Sequence, residues 1–285
     1  MATDLAGIRV DLGGISFNRV DDDGTWWVGE NLEGWDGSDV RTQVGAREGD
    51  HGSWLGTVYL AERVLTLTGS IGAASPAALD DAVERLLAEV TLTDTTLTVW
   101  ETVAKQVTVR RSGKPLVQRQ GPVDADVSLL MTAGDPRRYA VDAQAGSTPL
   151  ASTTGGLTVP YTVPYTLAAV TVSGQVDCLN SGSIETRPVL VIDGPVSQPT
   201  VLAQMPDGTV IPMIYSQDLG TGDRLLIDIG AKTVTLNGTV SRRRFLALPL
   251  GWPTIPPAAV VSFRFTAVTY NADALLTVRW RSAWI

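Results

Sequence analysis

The sequence predicts a mainly β protein of two domains, and three observations carry that expectation. Short runs of alternating apolar and polar residues recur along the chain, each cut by Gly, Pro, Asn or Asp. A single segment, 76–89, has the 3.6-residue apolar period and the start signals of a helix. Between them, 143–158 (AQAGSTPLASTTGGLT) turns small and polar, as a loop or linker near a domain boundary does. The 285 residues then divide into 1–140 and 141–285, each long enough to bury its own core.

In the first part, Ile8 to Leu12 alternates, Gly13-Gly14 turns and Ile15-Ser16-Phe17 follows; 20–25 reads as a polar loop tip. A group of tryptophans comes next, Trp26, Trp27, Trp35 and Trp54, and Val64-Leu65-Thr66-Leu67 is a β-branched strand ending at Gly69. The helix is expected from Ser75 as N-cap and Pro76 at the first helical position, where the missing N–H costs nothing. Leu79, Ala82, Val83, Leu86, Leu87 and Val90 form one apolar stripe to lay on a sheet, and Asp81 and Arg85 are spaced for an i, i+4 pair. Strands resume over 97–103 and 106–111. Val123, Ala125, Val127, Leu129 and Met131 then alternate with polar neighbours, up to the stop at 133–136.

The second part is strand throughout. Over 180–196 (NSGSIETRPVLVIDGPV) a turn signal and a polar run lead into the unbroken apolar Val189-Leu190-Val191-Ile192, closed by Asp193-Gly194-Pro195: one buried strand with a turn at each end. Over 222–238 (GDRLLIDIGAKTVTLNG) two alternating runs follow, and Asn237-Gly238 is a strong hairpin signal because a type I′ turn needs positive φ at both central residues. A strand over 165–173, one placing Val261, Phe263, Phe265 and Ala267 on one face, and a last one alternating Leu276, Val278, Trp280 and Trp284 complete the set. About eight to ten short strands at this spacing predict a sandwich or jelly roll.

Composition excludes several function classes. Net charge is −8, which disfavours a sequence-independent grip on nucleic acid phosphates or anionic lipid. Charged residues are 18% against a typical quarter or so, so a disordered, heavily solvated chain is not expected. Cys178 alone rules out an intrachain disulfide framework and reads as a small buried hydrophobe. The first residues lack the basic and apolar regions of a secretory signal, and no run reaches the ~20 apolar residues of a membrane span, so a cytoplasmically made protein with no membrane role is expected.

The order of these signals resembles siphophage distal tail proteins. Asn180-x-Gly182, Pro188, Ile192-x-Gly194, Gly222-Asp223, Ile227-Asp228, Val234, Asn237-Gly238 and the terminal Trp280-Arg281-Ser282-Ala283-Trp284 are similar to that family's C-terminal domain. Gly34-Trp35, His51-Gly52-Ser53, Tyr59, Arg63, Leu65, Leu67, Gly69, a single helix and Asp135-Pro136-Arg137-Arg138-Tyr139 are similar to its N-terminal domain. The resemblance spans nearly the whole chain and rests on the order of many weak signals. It implies an N-terminal, tail-tube-like β domain with one α-helix and a C-terminal galectin-like or jelly-roll β-sandwich. It also implies a hexameric ring at the tail tip, made in the host bacterial cytoplasm and residing in the virion. Its implied partners are the tail tube protein, tape-measure and tail-tip proteins and receptor-binding proteins. DNA would pass its lumen without specific binding, in keeping with the acidic charge, about −48 for six copies.

No catalytic role, cofactor or metal is expected. Asp50, His51 and Ser53 hold the letters of a triad, but triad members converge from separate segments, and strand neighbours alternate faces. Cys178 has no histidine reserved for a thiolate pair, and Asp21-Asp22-Asp23-Gly24 lacks the alternating acids and distant Glu of a calcium loop, which leaves a solvated hairpin tip. Trp26, Trp27, Trp35 and Trp54 are candidates for core or subunit contacts, or for a carbohydrate platform. Arg242-Arg243-Arg244 reads as a surface charge run. The alternative function is a carbohydrate- or receptor-binding tail module stacking sugars on Tyr161, Tyr165, Trp252 or Tyr270.

Overall fold

A computed structural model describes residues 2–154 and 170–285; Tyr161, Tyr165 and most of the strand expected over 165–173 lie outside the described residues. The protein is mainly β, with one α-helix, Pro76–Glu89, among the described residues. It divides into two units, Met1–Val141 with Trp284–Ile285, and Asp142–Ala283.

The first unit is built on Arg63–Gly72, whose alternation buries Arg63, Leu65, Leu67, Gly69 and Ile71 on one face. It pairs without a break along Asp124–Ala133, from Arg63 opposite Ala133 to Gly72 opposite Asp124. On its other edge lies Trp26–Glu33, with a register slip at Thr68/Gly69. The sheet continues from Asp124–Ala133 through Lys105–Arg111, Thr95–Val99 and Val10–Leu12 to Ile15–Phe17. It curls on itself: Phe17, on the last of these strands, packs edge-on against Trp27 near the other end, with centroids 5.9 Å apart at 71°. Such a pair adds ~1 kcal/mol to its burial.

The helix closes the core with Leu79, Ala82 and Leu86. Ser75 is extended at φ −153°, ψ 162°, and its hydroxyl accepts from the Ala78 N–H at 3.2 Å. The expected Asp81–Arg85 pair is not the one formed. Arg85 instead reaches Asp21 at 3.1 Å and Asp23 at 3.0 Å, with its guanidinium 5.6 Å over the Trp27 ring. Two carboxylates and an aromatic face outcompete one exposed helical neighbour, worth only a few tenths of a kcal/mol.

The second unit is a sandwich of two antiparallel sheets. One runs Gln144–Pro149, Leu275–Trp280, Val189–Asp193, Arg224–Asp228, Thr233–Leu236, Val240–Ser241; the other Gln175–Asn180, Ala259–Thr266, Thr200–Gln204, Val210–Tyr215, Leu246–Ala247. Leu190, Ile192, Leu225, Ile227, Leu276 and Val278 of the first share one core with Cys178, Val201, Phe263 and Phe265 of the second. Val189–Asp193 is central in its sheet and buries Leu190, Val191 and Ile192, hence both faces, which is why its sequence is an unbroken apolar run. The Gly194–Pro195 bond that follows is cis. Asn237 and Gly238 have φ of 52° and 76°, the conformation their sequence predicted.

Asn180 holds together the loops at one end of this sandwich. Its amide nitrogen donates to the carbonyls of Ile184 at 2.7 Å, Ile255 at 3.1 Å and Pro256 at 3.1 Å. Its oxygen accepts from the N–H groups of Gly182 at 3.0 Å and Ala283 at 3.1 Å. At this point the last strand stops. Trp284, which alternation placed on one face with Leu276, Val278 and Trp280, instead belongs to the first unit, where Lys105 lies 5.5 Å over its ring.

Candidate interaction surface

Between Trp35 and Arg63 the first unit extends a β-hairpin with no core of its own. Val40 pairs with Leu60 and Arg41 with Tyr59; further out, Val44 pairs with Leu55, Gly45 with Trp54 and Ala46 with Ser53. Every residue from 39 to 59 is exposed. Directly opposed residues share a face and successive ones alternate, so Val44 and Leu55 lie on one face and Trp54 on the other, beneath Arg47 at 4.4 Å. Trp54 is 67% and Leu55 76% exposed. A lone two-stranded ribbon is marginal in water, and large apolar side chains exposed on both of its faces make it a candidate interaction surface.

The hairpin is nevertheless firmly rooted. Arg63, fully buried, donates from Nη1 to the carbonyls of Gly34 at 2.7 Å and Trp35 at 2.6 Å, and from Nε to that of Pro136 at 2.9 Å. One guanidinium thus ties the outgoing leg of the hairpin to the returning leg. Burial, assisted by the charge of Arg138, pulls this guanidinium down to about 10, so it remains charged at neutral pH. Trp35 is fixed from its other side, donating from Nε1 to Glu101 at 2.6 Å with Arg138 5.2 Å over its ring. Glu101 is held in turn by Lys105 at 2.6 Å. Gly34, at φ 82°, completes the root, since a Cβ there would stand 2.0 Å from the Val64 carbonyl oxygen.

A second exposed feature of this unit is an open cleft of about 570 Å³ lined by Arg9, Ser16, Arg19, Asp21, Asp22, Asp23 and Arg85. Asp21 and Asp23 are held by Arg85, and Arg9 by Asp11 at 2.7 Å. The turn N–H of Thr25, its hydroxyl and the charge of Arg85 hold the Asp23 carboxyl below its usual range. The tip expected to be merely solvated is therefore an organised turn, in which Asp21 also accepts from Trp27 Nε1 at 2.8 Å. Among the described residues Arg19 and Asp22 have no ionic partner. Val20, on the wall of the cleft, pairs across strands with Trp26, and both are largely exposed, Trp26 at 59%.

The four tryptophans thus divide. Trp27 and Trp35 are fully buried in the core, whereas Trp26 and Trp54 face solvent at the cleft and on the hairpin, so the four do not form one stacking platform. His51 is an exposed turn residue at the hairpin tip, where its N–H donates to the Asp50 carboxylate at 2.7 Å. Cys178 is buried, and burial with the neighbouring Asp177 charge pushes its thiol up to about 12. In the arginine run, Arg243 lies 4.9 Å over Trp252, and Arg244 and Arg242 lie 4.5 Å and 5.7 Å over Phe245, so all three charges face aromatic rings. Tyr270 is exposed.

The outer face of the five-stranded sheet in the second unit carries a polar row. Asp177 accepts from Gln175 and Ser262, both at 2.6 Å, and Gln175 accepts from Arg264 at 3.1 Å. These hydroxyl and amide donors hold Asp177 below the usual carboxylate range. Leu179 and Val260, paired across strands, are half-exposed beside it.

No family model and no curated protein matches the chain. Among solved structures it is similar to the Dit protein of phage SPP1, described as a paradigm of the hub adsorption apparatus in phages infecting Gram-positive bacteria. The identity is 15%, the TM-score 0.64, and the match covers 98% of this chain and 99% of that one. A chain of the phage P2 baseplate in its activated, calcium-bound conformation also aligns, at 9% identity and a TM-score of 0.46, over 95% and 97% of the two chains. The fold of this chain, across both of its units, is that of the siphophage distal tail protein Dit.

Proposed function

We propose that this chain is a structural, non-enzymatic subunit of a siphophage tail tip. Copies assemble into a closed ring, six in number by the family resemblance, that joins the tail tube to the tip and receptor-binding apparatus. The observation that supports this most is the end-to-end likeness to a phage hub protein, which takes in both units and leaves almost nothing over on either side. A rooted hairpin bearing exposed Trp54 and Leu55 supports it independently, because a subunit meant to stay alone gains nothing from such a projection. On this reading the partners are further copies of the chain, the tail tube protein, tape-measure and tail-tip proteins and receptor-binding proteins. The residence is the virion, after assembly in the host cytoplasm, and DNA passes an acidic lumen without being bound.

Negative-stain imaging and mass photometry of the purified protein test the ring, with immunogold labelling of virions for its place. Six-fold rings and label at the distal tail end are the expected results. A strictly monomeric species at high concentration, together with virions unlabelled at the tip, would sink the proposal.

A further inference from the structure

We propose that the arginine run of the second unit, Arg242-Arg243-Arg244, is a docking site for an extended acidic segment of another protein. The run lies on the rim of the sandwich, at the short 3₁₀ turn that carries the chain from Val240–Ser241, the edge strand of one sheet, to Leu246–Ala247, the edge strand of the other. None of the three guanidiniums has an ion-pair partner among the described residues. The carboxylates on the adjoining turns are engaged by other donors. Asp218 accepts from the Ser197 hydroxyl at 3.0 Å and the Gln198 N–H at 3.2 Å, Asp223 from the Gly220 N–H at 2.8 Å and the Asn237 amide at 3.0 Å, and Asp228 from the Ala231 N–H at 2.8 Å. Asp223 feels the charge of Arg242 without pairing with it. Arg224 is paired with Asp193 at 2.6 Å, whereas Lys232 and Arg187 stand exposed near the Asp228 turn and add to the positive side.

Residues 142–283 hold nine acidic and nine basic residues of the 30 and 22 in the chain, so the net charge of −8 belongs to the first unit and the run is a positive patch on a neutral body. An acidic partner meets no general repulsion there. The guanidiniums are also held ready for carboxylates. Arg243, stacked on Trp252, donates from Nη1 to the Leu246 carbonyl at 2.9 Å, while Arg242 and Arg244 both lie over Phe245. Stacking on a ring fixes the plane of a guanidinium and leaves its N–H edge to make further bonds, the edge from which a carboxylate accepts two at once. The Nε of Arg242 is shielded from water without an acceptor, and three like charges on consecutive residues repel one another; an arriving anion offsets both. Apolar flanks favour a polypeptide over a phosphate polymer. Val240 and Leu250, 48% and 61% exposed, lie on either side of the run in the chain, and with arginine and tryptophan between them they have the composition of a protein interface. A phosphate chain has nothing to bury against them, whereas a segment alternating acidic and apolar residues does.

The test titrates the full chain into a fluorescein-labelled peptide of alternating Glu and Leu, read by anisotropy at low salt. Saturable binding is expected, and none to the same peptide with Gln for Glu. Arg243→Ala with Arg244→Ala should weaken it about tenfold or more. Both side chains are exposed, and thermal unfolding verifies that the variant folds as the parent does. Changing all three arginines to lysine keeps the charge and loses the planar fork, so binding should still fall several-fold. Arg19→Ala, which removes an unpaired arginine from the first unit, should leave it unchanged. Absent binding, binding indifferent to the alanine changes, or full binding by the lysine variant would overturn the proposal. Long-chain polyphosphate is the competing probe: if it binds more tightly than the peptide and Val240→Ser with Leu250→Ser has no effect on either, the patch serves a phosphate polymer and the protein partner is wrong. Mass photometry of the same variants keeps the ring reading separate. They are expected to self-associate as the parent does, and loss of self-association would make the occupant a second copy of this chain and overturn the proposal likewise.

Discussion

Replacing Arg63 by leucine removes three hydrogen bonds from the interior at once, those to the carbonyls of Gly34, Trp35 and Pro136. Each stranded buried acceptor costs about 1–3 kcal/mol. Against that, the variant no longer buries a guanidinium whose Nη2 has no partner among the described residues. The balance is a loss of about 3–5 kcal/mol from the first unit. Arg63→Lys should recover little, because a single ammonium cannot span three carbonyls that a planar fork reaches from two nitrogens. Urea unfolding of the full chain, followed by tryptophan fluorescence, reads the loss directly: Trp26, Trp27, Trp35, Trp54 and Trp100 all lie in this unit. A loss under ~1 kcal/mol for Arg63→Leu, or full stability in Arg63→Lys, would refute the view that this guanidinium roots the hairpin.

Asn180→Ala should destabilise the second unit by about 3–5 kcal/mol, since it removes five hydrogen bonds and strands the Ile184 and Pro256 carbonyls and two N–H groups, the Ile255 carbonyl keeping the Thr186 N–H; chemical denaturation checks it. Gly34→Ala places a Cβ 2.0 Å from the Val64 carbonyl oxygen at φ 82°, and a lowered melting temperature corresponding to more than ~2 kcal/mol is expected in calorimetry. Cys178 should be inert to a thiol reagent in the folded protein and react only on unfolding. Its thiol, raised from 9.0 to about 12 in the fold, contributes stability that is complete below pH 9 and is lost as pH rises towards 12. Over that window the wild type should lose ~1.4 kcal/mol per pH unit relative to Cys178→Ala, and parallel pH profiles would contradict the burial argument.

Several elements were legible in the chain because the cause is local. Ser75 followed by Pro76 and a stripe at Leu79, Ala82 and Leu86 specifies a helix start within a single turn. Asn237-Gly238 carries its own backbone conformation. Val189 to Ile192 is apolar at every position because both faces of that strand are covered. The hairpin was not legible, for a physical reason: Val40, Val44, Trp54 and Leu55 are residue types that also fill core strands. Whether such a ribbon is buried depends on what else the chain lays over it, and here nothing among the described residues does. Adjacent Trp26 and Trp27 had to point to opposite faces; which of them meets the core required knowing that Phe17 lies against Trp27.

Burial of charge was equally hidden. Arg63 and Arg85 look alike in sequence, yet one is enclosed among carbonyls and the other crosses from the helix to Asp21 and Asp23, 64 and 62 positions away. The sequence by itself determined the helix, most strands outside the hairpin and the acidic charge of the whole, because periodicity, caps and turns act over a few residues. The tertiary structure alone decided that Trp35 is core while Trp54 projects into solvent, that Trp284 leaves the sheet of Trp280, and that Arg19 and Asp22 stand unpaired at a cleft. Each of these depends on which distant segments meet, and the free energy that selects among such meetings belongs to the packed whole and to no stretch of it.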